Sequence, residues 1–571
     1  MTAGRGGRAW LAAVAVVALV AALAPAWLSA GDLGDVAVAV TRGALGAAAA
    51  VAVAVGRPSL AVAGIAGVAG YASGDAAMHG WAVPLAMLAG IGLGALTSVV
   101  LGLAGARLGA AGFVALTLVA TLAGGALVDA LPDTLGGTSG LQPVPGLSVP
   151  LPGGDTLAFG PAGTVHLTLL LVAAGVIACG LMLRALPGAR WRAIGGDPER
   201  ALDAGLRPLR GTLGALAVSG ALAGLGGVLA VHATGVATPS SFSVDAAVLP
   251  LLAAMLAARG GPAAAALAGA ATGALGLRVL PALGWTGPPG AEALATGVLA
   301  AVTLLALAGG RRVRALWRGR AVDGGGAAAG ADTAGGAEEE PRWPPMQPLG
   351  GRAGLLVRGF DVVPERGAAP LAQLEMAVPP GAVQGLAGAN GAGKSTALRG
   401  IASALRRGGD PAVRFEPAGA RVRAVLLPQQ GGGWPGCTVG ETLRLAARAG
   451  HRSGAEARQA ADAWAAALDL DGAWDTVCES LSHGVRRRVE LARVLLLRPA
   501  VLLCDEPLAG LDGADRERSL DCLRSAAGQG VTVVVAEHDR ASLARIAAAT
   551  TELRRLDLDG GGEPAPGAAP A

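Results

Sequence analysis

The chain has 571 residues and a mean hydropathy of +0.53, with only 15% charged residues, so it is too long for one domain and too apolar for an ordinary soluble protein. Its formal charge of +4 is small and its basic residues lie in short loops between apolar runs, so no nucleic-acid partner is expected. The five cysteines have no Cys-x-x-Cys spacing, which argues against a disulfide framework and against a cysteine metal site.

Residues 1–310 are predicted to form an all-α polytopic membrane domain, because about ten apolar runs follow one another with short loops. The first run is interpreted as a retained span, although Leu28-Ser29-Ala30 also resembles a signal-peptide cleavage site. The runs at 59–74 and 244–258 are short enough to be re-entrant or broken helices. The predicted spans are Trp10–Trp27, Val36–Gly56, Ser59–Gly74, Trp81–Gly105, Ala110–Leu131, Gly163–Leu186, Gly211–Ala233, Val244–Ala258, Pro262–Leu280 and Ala291–Gly309.

The arginines between these runs predict the orientation of the membrane domain. Under strict alternation, Arg57, Arg107, the segment 184–210, Arg259 and the cluster at 311–314 all fall on the side of the N-terminus. Short cytoplasmic loops carry the excess of arginine, so this side and the soluble half that follows are expected in the cytoplasm. The prediction is a multi-pass protein of the cell membrane, in contact with lipid.

The segment 190–208 is the polar exception in this half. Pro198 after Asp197 predicts a short amphipathic helix outside the bilayer. Such a helix suits the docking of a soluble domain, and a solvated loop that carries topological charge is the alternative.

A glycine-rich and alanine-rich stretch, residues 311–352, is predicted to be a flexible cytoplasmic linker, and 559–571 a disordered tail. Between them, residues 353–558 carry soluble α/β patterns. Alternation at Leu374, Met376 and Val378 predicts a strand, Val383–Gly388 a second strand, and Lys394–Leu405 a helix.

A phosphate-binding loop joins that second strand to the helix. It fits the pattern G-x-x-x-x-G-K-[ST] at every fixed position, and Lys394 is the only lysine in the chain. Loop amides and the helix N-terminus suit the phosphates of ATP, Lys394 suits the β and γ oxygens, and the Ser395 hydroxyl suits Mg²⁺. The predicted ATP-binding residues are Gly388, Ala389, Asn390, Gly391, Ala392, Gly393, Lys394, Ser395 and Thr396.

A second motif, which is acidic, follows the phosphate-binding loop at the expected distance. Val501–Asp505 is an apolar strand that delivers Asp505 and Glu506 to its carboxyl end. Asp505 is predicted to hold the metal and Glu506 to polarise the attacking water, which is what phosphoryl transfer to water requires.

Further motifs resemble those of ABC-type ATPases. The resemblance implies an α/β P-loop (RecA-like) domain with a helical subdomain, in which Gln429 reaches Mg²⁺ and the water, His538 contacts the γ-phosphate and Asp512 crosses a dimer interface. It also implies that Ser482 of a second ATPase subunit closes the site, while Thr438 and Glu441 form a capping box. The signature residues are Leu481, Ser482, His483 and Gly484, with His483 and Val485 departing from the usual L-S-G-G-Q.

The position of the usual adenine-stacking aromatic also departs from the family pattern. The segment 361–365 after Phe360 has no ring, so loose base recognition is predicted, with Pro364 or Phe360 offering apolar contact.

The membrane half resembles the permease of branched-chain amino acid ABC importers, at Pro58–Tyr71, Gly136–Leu141, Arg192–Ile194 and Ala201–Gly205. The resemblance implies ATP-driven uptake of a branched-chain amino acid, and makes 192–208 the coupling segment. It also implies a second permease and a second ATPase subunit, from a homodimer or separate chains, and an extracytoplasmic solute-binding protein. Uptake of urea or short amides, and a membrane-tethered regulatory ATPase without transport, remain alternatives; an exporter is disfavoured because its six helices would be longer.

Overall fold

The computed structural model describes residues 30–152, 155–239, 244–256, 265–266, 269–270, 343–363, 370–389, 391–408, 410–417, 423–429, 431–451, 453–511, 513–538, 540–547 and 549–552. These residues fall into two compact units, one drawn from Met1–Pro198 and Arg207–Gly335, the other from Glu199–Leu206 and Gly336–Ala571. The predicted spans at 10–27 and 291–309, nearly all of 262–280, most of the linker and the predicted tail lie outside the described residues.

The first unit is helical, as the sequence predicts. Within the described residues, five helices are long and apolar enough to cross a membrane, so the count of ten spans stays a prediction. The run at 59–74 falls mostly on one continuous helix of 17 residues, Val62–Met78, and the run at 244–258 mostly on a helix of 13 residues, Val244–Leu256, that contains Pro250. The helices of eleven or more residues in this unit are α1 (Ala30–Ala54), α2 (Val62–Met78), α3 (Val83–Ala104), α4 (Ala110–Ala130), α5 (Pro161–Arg184), α6 (Leu186–Gly196), α8 (Pro208–Thr234) and α9 (Val244–Leu256). A single helical turn spans Pro132–Leu135, and α7 (Pro198–Asp203), which belongs to the second unit from Glu199 onward, lies between α6 and α8 in the chain.

Helix α8 lies at the centre of this unit, where it packs against α1, α2 and α3. Glycines permit the close approach: a Cβ built on Gly220 would lie 2.5 Å from the Gly94 carbonyl oxygen, and one on Gly70 would lie 2.7 Å from Val231. Small residues let membrane helices approach closely enough for van der Waals packing to hold them. Gly70 of α2 and Gly220 of α8 are small residues of this kind.

Helices α3, α4 and α5 turn large apolar side chains outward, among them Leu88, Val119 and Leu170, each more than 60% exposed. An exposed apolar face of this extent is expected where lipid is the solvent. Two of the arginine-bearing loops also meet: the Arg57 guanidinium donates to the carbonyls of Gly105, Ala106 and Leu108 after α3. This contact is expected if both loops lie on one face of the membrane.

The second unit contains two sheets. A parallel sheet has the order β10-β5-β9-β8-β7, and an antiparallel sheet the order β4-β3-β6. Every residue of β5, β8 and β9 is buried, whereas β4 alternates between buried and exposed, as Leu374, Met376 and Val378 predict. The strands are β3 (Gly354–Val362), β4 (Ala372–Val378), β5 (Val383–Ala387), β6 (Val413–Glu416), β7 (Ala424–Leu427), β8 (Val501–Asp505), β9 (Thr532–Ala536) and β10 (Ala549–Glu552); a separate hairpin, β1 (Ser148–Pro150) and β2 (Thr156–Ala158), belongs to the first unit.

Helices α11, α12 and α13 pack on one another to form the predicted helical subdomain. The predicted capping box is confirmed: Glu441 N donates to Thr438 Oγ1 at 3.2 Å, and Thr438 N donates to Glu441 Oε2 at 3.0 Å. The helices of this unit are α10 (Lys394–Arg407), α11 (Val439–Gly450), α12 (Gly454–Ala467), α13 (His483–Leu496), α14 (Gly513–Gly528) and α15 (Arg540–Ile546).

The segment Glu199–Leu206 also belongs to this second unit. The Arg200 guanidinium donates to the Gly433 carbonyl at 3.2 Å, and Asp203 pairs with Arg406 at 2.9 Å. The helix predicted to begin at Pro198 is α7, and the segment that follows Pro198 is grouped with the α/β unit rather than with the membrane helices.

Candidate nucleotide-binding site

The phosphate-binding loop runs from the end of β5 to the first turn of α10. Gly391 and Gly393 have φ values of +81° and +94°, a conformation that side chains disfavour, which is why glycine stands at these positions. The Lys394 side chain is buried against the loop, where Nζ donates to the carbonyls of Gly388 at 2.6 Å and Ala389 at 3.1 Å. The lysine therefore lies inside the loop that should receive phosphate. Asn390 is outside the described residues.

Four parallel strands deliver the other predicted residues to the same edge of the sheet, since the carboxyl ends of parallel strands meet there. Ser395 Oγ donates to Asp505 Oδ1 at 2.8 Å, joining the first turn of α10 to the end of β8. Burial raises the pKa of Asp505, although the hydrogen bond from Ser395 opposes the rise. A cation would stabilise this buried carboxylate in its ionised form.

Gln429 and Glu506 are also brought together. Gln429 Nε2 donates to Glu506 Oε2 at 2.6 Å. Glu506 has a φ of +44°, an uncommon value for a residue with a side chain, and its amide donates to the Ala536 carbonyl at 2.9 Å. Such strained positions persist only where surrounding contacts hold them, and they cluster at active sites.

His538 follows β9 and is largely exposed, with Nδ1 3.7 Å from Glu537 Oε2. His538 lines a cavity of about 470 Å³ together with Lys394, Ser395, Gln429 and Glu506. The cavity brings together most of the sequence-predicted phosphate, metal and water residues; its lining consists of Leu371, Gly391, Gly393, Lys394, Ser395, Thr396, Gln429, Glu506 and His538.

The signature residues do not line this cavity. Ser482 is the N-cap of α13 but makes no side-chain capping bond, and both Ser482 and His483 are exposed, whereas Leu481 is buried. Gly484 has a close neighbour, because a Cβ there would lie 2.5 Å from an Asp515 carboxylate oxygen. An exposed signature is what a site completed by a second copy requires. Asp512 lies outside the described residues.

The apolar wall of the cavity is formed by Leu371, whereas Phe360 packs beside α10, where a Cβ on Gly400 would lie 2.8 Å from the Phe360 ring. The Phe360 ring is partly buried against the core between β3 and α10 and does not line this cavity, so a base contact from Phe360 stays a prediction. Pro364 lies outside the described residues.

Sequence reasoning missed three buried charged residues near the site. Glu537 is buried, burial raises its pKa, and its Oε1 accepts from the Leu508 amide at 3.1 Å. Arg487 lies in the run Arg486–Arg488, in which spacing alone does not identify the buried member. Glu490 lies on the buried face of α13, and the local sequence likewise does not show that this charged side chain is buried.

Comparisons with known proteins agree with this geometry. Residues 371–509 match the family model for ABC transporters, and residues 33–307 match the model for the permease component of the branched-chain amino acid transport system. The hemin import ATP-binding protein HmuV of Myxococcus xanthus is 35% identical over 210 residues, which cover 34% of this chain and 78% of the relative. A putative ABC transporter ATP-binding protein of Streptomyces coelicolor is 32% identical over 206 residues, covering 34% of this chain and 72% of the relative.

The daunorubicin/doxorubicin resistance ATP-binding protein DrrA of Streptomyces peucetius is 35% identical over 168 residues, or 28% of this chain. The match spans about half of that relative's length, 51%. The chain binds nucleotide and is an ATPase, and its helical half makes it a membrane protein. It belongs to the ABC transporter family and joins, in one polypeptide, a permease domain of the branched-chain amino acid type to an ABC ATPase domain.

Proposed function

We propose that this ABC transporter imports a small polar solute, a branched-chain amino acid, into the cytoplasm at the expense of ATP. The observation that carries the proposal is the permease match over residues 33–307 in the same chain as the ATPase. The names of the ATPase relatives point both to hemin import and to daunorubicin resistance, so they do not identify the solute. The solute class therefore rests on the membrane half.

In the proposed site, Lys394 and the amides of residues 388–396 bind the phosphates of ATP. Ser395, Asp505 and Gln429 would hold Mg²⁺. The residues fit that ion, because the Ser395 hydroxyl and the Asp505 carboxylate are hard oxygen donors already 2.8 Å apart, and Mg²⁺ takes few protein ligands when phosphate supplies the rest. When bound, the ion would neutralise charge on the β and γ oxygens.

Glu506 is the proposed general base. Its carboxylate lines the same cavity as the phosphate loop and accepts a hydrogen bond directly from Gln429, so a water bound in that cavity would be within reach of both side chains. Glu506 would take the proton from the attacking water, Gln429 would orient that water, and His538 would donate to the γ-phosphate. These roles place one proton acceptor and two orienting groups around the cavity.

The exposed Ser482 supports a site shared between two copies of the ATPase. We infer that Ser482 and Gly484 of one copy close the phosphate loop of another, with Asp512 at the interface. The working assembly then needs a second ATPase and a second permease, as a homodimer or from separate chains, and an extracytoplasmic solute-binding protein. The ATPase and the N-terminus lie in the cytoplasm, and 192–208 is the coupling segment, which the contacts of Arg200 and Asp203 support.

The test is uptake into vesicles that contain the full chain, its candidate partner proteins and ATP. Labelled leucine, isoleucine, valine, urea and short amides are offered, each with ATP and with a non-hydrolysable analogue. Leucine, isoleucine or valine entering only with hydrolysable ATP is the expected result. Uptake of urea or amides alone would overturn the solute class, and ATP hydrolysis without uptake in the complete assembly would favour a regulatory ATPase.

A further inference from the structure

The side chain of Arg487 joins three segments of the ATPase unit, yet no role in the site has been assigned to it. The residue is 4% exposed, and the hydrogen-bond partners of its guanidinium are backbone carbonyl oxygens. Nε donates to Pro507 at 3.0 Å, Nη1 to Pro428 at 2.6 Å and Gln429 at 3.4 Å, and Nη2 to Asp505 at 3.2 Å and Glu506 at 2.9 Å. A guanidinium has five N–H groups in a fixed planar fork, so these five carbonyls account for all of its donors.

The three segments are those that carry the chemistry. Arg487 itself stands on α13, the helix that begins at the signature residue Ser482. Asp505, Glu506 and Pro507 form the end of β8 and the turn after it, and Pro428 and Gln429 follow β7. One buried cation therefore connects the signature helix to both residues proposed to handle the water.

The contact with Glu506 matters because of that residue's backbone. With a φ of +44°, Glu506 occupies a left-handed conformation that is strained for a residue with a side chain. Its amide is held by the Ala536 carbonyl and its own carbonyl by Arg487, at 2.9 Å each. The carboxylate in turn accepts from Gln429 at 2.6 Å. Arg487 thus fixes the backbone of both members of this side-chain pair.

We propose that Arg487 is a positioning residue that makes the alignment of Glu506 and Gln429 depend on the seating of the signature helix. When α13 packs as it does in this structure, the Arg487 guanidinium binds the carbonyls of Gln429 and Glu506, and the Glu506 carboxylate faces the water. When α13 moves, the guanidinium leaves these carbonyls and the strained Glu506 peptide loses a hydrogen-bond partner. Hydrolysis is thereby restricted to the state in which the signature residues at the start of α13 close the phosphate loop of the other copy. The proposal rests on the proposed function of Glu506.

The neighbouring Arg488 provides a matched control. It stands one position later on the same helix, but it donates to the Leu468 and Asp469 carbonyls and pairs with Asp469 and Asp515. None of these four contacts involves Gln429 or Glu506; Asp515 also lies beside Gly484, and the substitution Arg488→Lys keeps a positive charge there. Arg488→Lys therefore changes an arginine on the same helix without touching the alignment of Glu506.

The experiment measures ATP hydrolysis and ATP binding by the full chain in lipid nanodiscs, in the assembly that hydrolyses ATP. Lysine offers three donors from a point charge and cannot reproduce the fork. We expect Arg487→Lys to lower kcat about 100-fold, as small misplacements of catalytic groups do, with KM and the ATP dissociation constant within about twofold of the native values. Arg488→Lys should keep kcat within about twofold. A native kcat in Arg487→Lys, or a loss confined to ATP binding, overturns the proposal.

A double variant separates positioning from general damage to the fold. If Arg487 acts through Gln429 and Glu506, its substitution in a Gln429→Ala background lowers kcat much less than it does in the native chain. Losses that multiply would overturn the proposal. Retention of hydrolysis by Glu506→Gln would instead overturn the proposed function, whatever Arg487→Lys does.

A measurement on the native chain covers the case in which Arg487→Lys does not fold. Hydrogen exchange is followed at the amides of α13 and at the Glu506 amide, with and without ATP. The proposal predicts that ATP raises protection of both by the same factor, because the fork makes them one cooperative unit. Protection that changes at α13 alone would overturn it.

Discussion

Glu490→Gln should destabilise the ATPase unit and remove part of its sensitivity to acid. Glu490 is fully buried, and its carboxylate accepts from Arg493 at 2.7 and 3.1 Å and from the Gly433 amide at 2.9 Å, with Arg200 at 4.0 Å. Burial by itself would raise the pKa of Glu490, but Arg493, Arg200 and the hydrogen bonds outweigh it and lower the pKa to about 2. Glutamine keeps the shape and removes the charge.

The magnitude follows from linkage. A carboxyl whose pKa falls from 4.5 to about 2 on folding contributes about 3 kcal/mol of stability at neutral pH. Loss of one partner from a buried ion pair costs about 3–5 kcal/mol, which agrees. Because the folded pKa is the lower one, this contribution is complete above pH 4.5 and is lost as pH falls toward about 2.

Thermal unfolding of the full chain in detergent measures the effect, read at the transition that ATP shifts upward. At pH 7 the variant should melt roughly 6–12 °C below the native chain, and the difference should shrink as pH falls through 4 and 3. Glu479→Gln is the control, since Glu479 is exposed and its loss should change stability by less than about 0.5 kcal/mol. A native melting temperature at pH 7, or a difference between variant and native chain that does not vary with pH, would mean that the charge of Glu490 does not stabilise the ATPase unit.

Three other predictions follow from single contacts. Lys394→Ala should weaken ATP binding more than about tenfold in a fluorescent nucleotide titration, because the only lysine of the chain is the loop's cation. ATP and GTP should bind within about tenfold of each other, because Leu371 lines the cavity and, among the described residues, no Phe, Tyr or Trp ring does so. Gly220→Ala should destabilise the permease unit by about 1–3 kcal/mol in thermal unfolding, because its Cβ would meet the Gly94 carbonyl oxygen at 2.5 Å; Gly92→Ala, with no neighbour within 4 Å, is the control.

Each of these has a contradicting result. Unchanged ATP affinity in Lys394→Ala would mean that the loop around Lys394 does not bind the phosphates of ATP. GTP binding more than about 100-fold weaker than ATP would mean that residues not yet identified read the base. Equal melting of the Gly220→Ala and Gly92→Ala chains would mean that α8 and α3 do not pack as closely as described.

Much of the ATPase half could be predicted from the sequence, because its signals are local. Alternation at Leu374, Met376 and Val378 reports one buried face of β4, and Thr438 with Glu441 reports a helix start. The phosphate loop needs glycine at fixed backbone positions, so its pattern can be recognised even in a glycine-rich chain. Strand order was not needed, since parallel strands bring their carboxyl ends together in any order.

What the sequence did not reveal depends on contacts between distant segments. Three successive arginines occupy positions 486–488, and only packing against β8 and the turn after β7 selects Arg487 for burial. The sequence around Phe360 does not reveal that its ring packs beside Gly400 of α10. The solute is hidden for a similar reason, as membrane helices lined by alanine, glycine and leucine carry little chemical information about their cargo.

The role of Glu506 is tested most directly by hydrolysis in the assembled transporter that carries Glu506→Gln. We expect this variant to bind ATP with native affinity, because the phosphate loop is untouched, and to hydrolyse it at a rate indistinguishable from background, because no base remains to take the proton of the water. Hydrolysis at the native rate by a chain that still binds ATP would mean that Glu506 and its partner Gln429 do not act on the water.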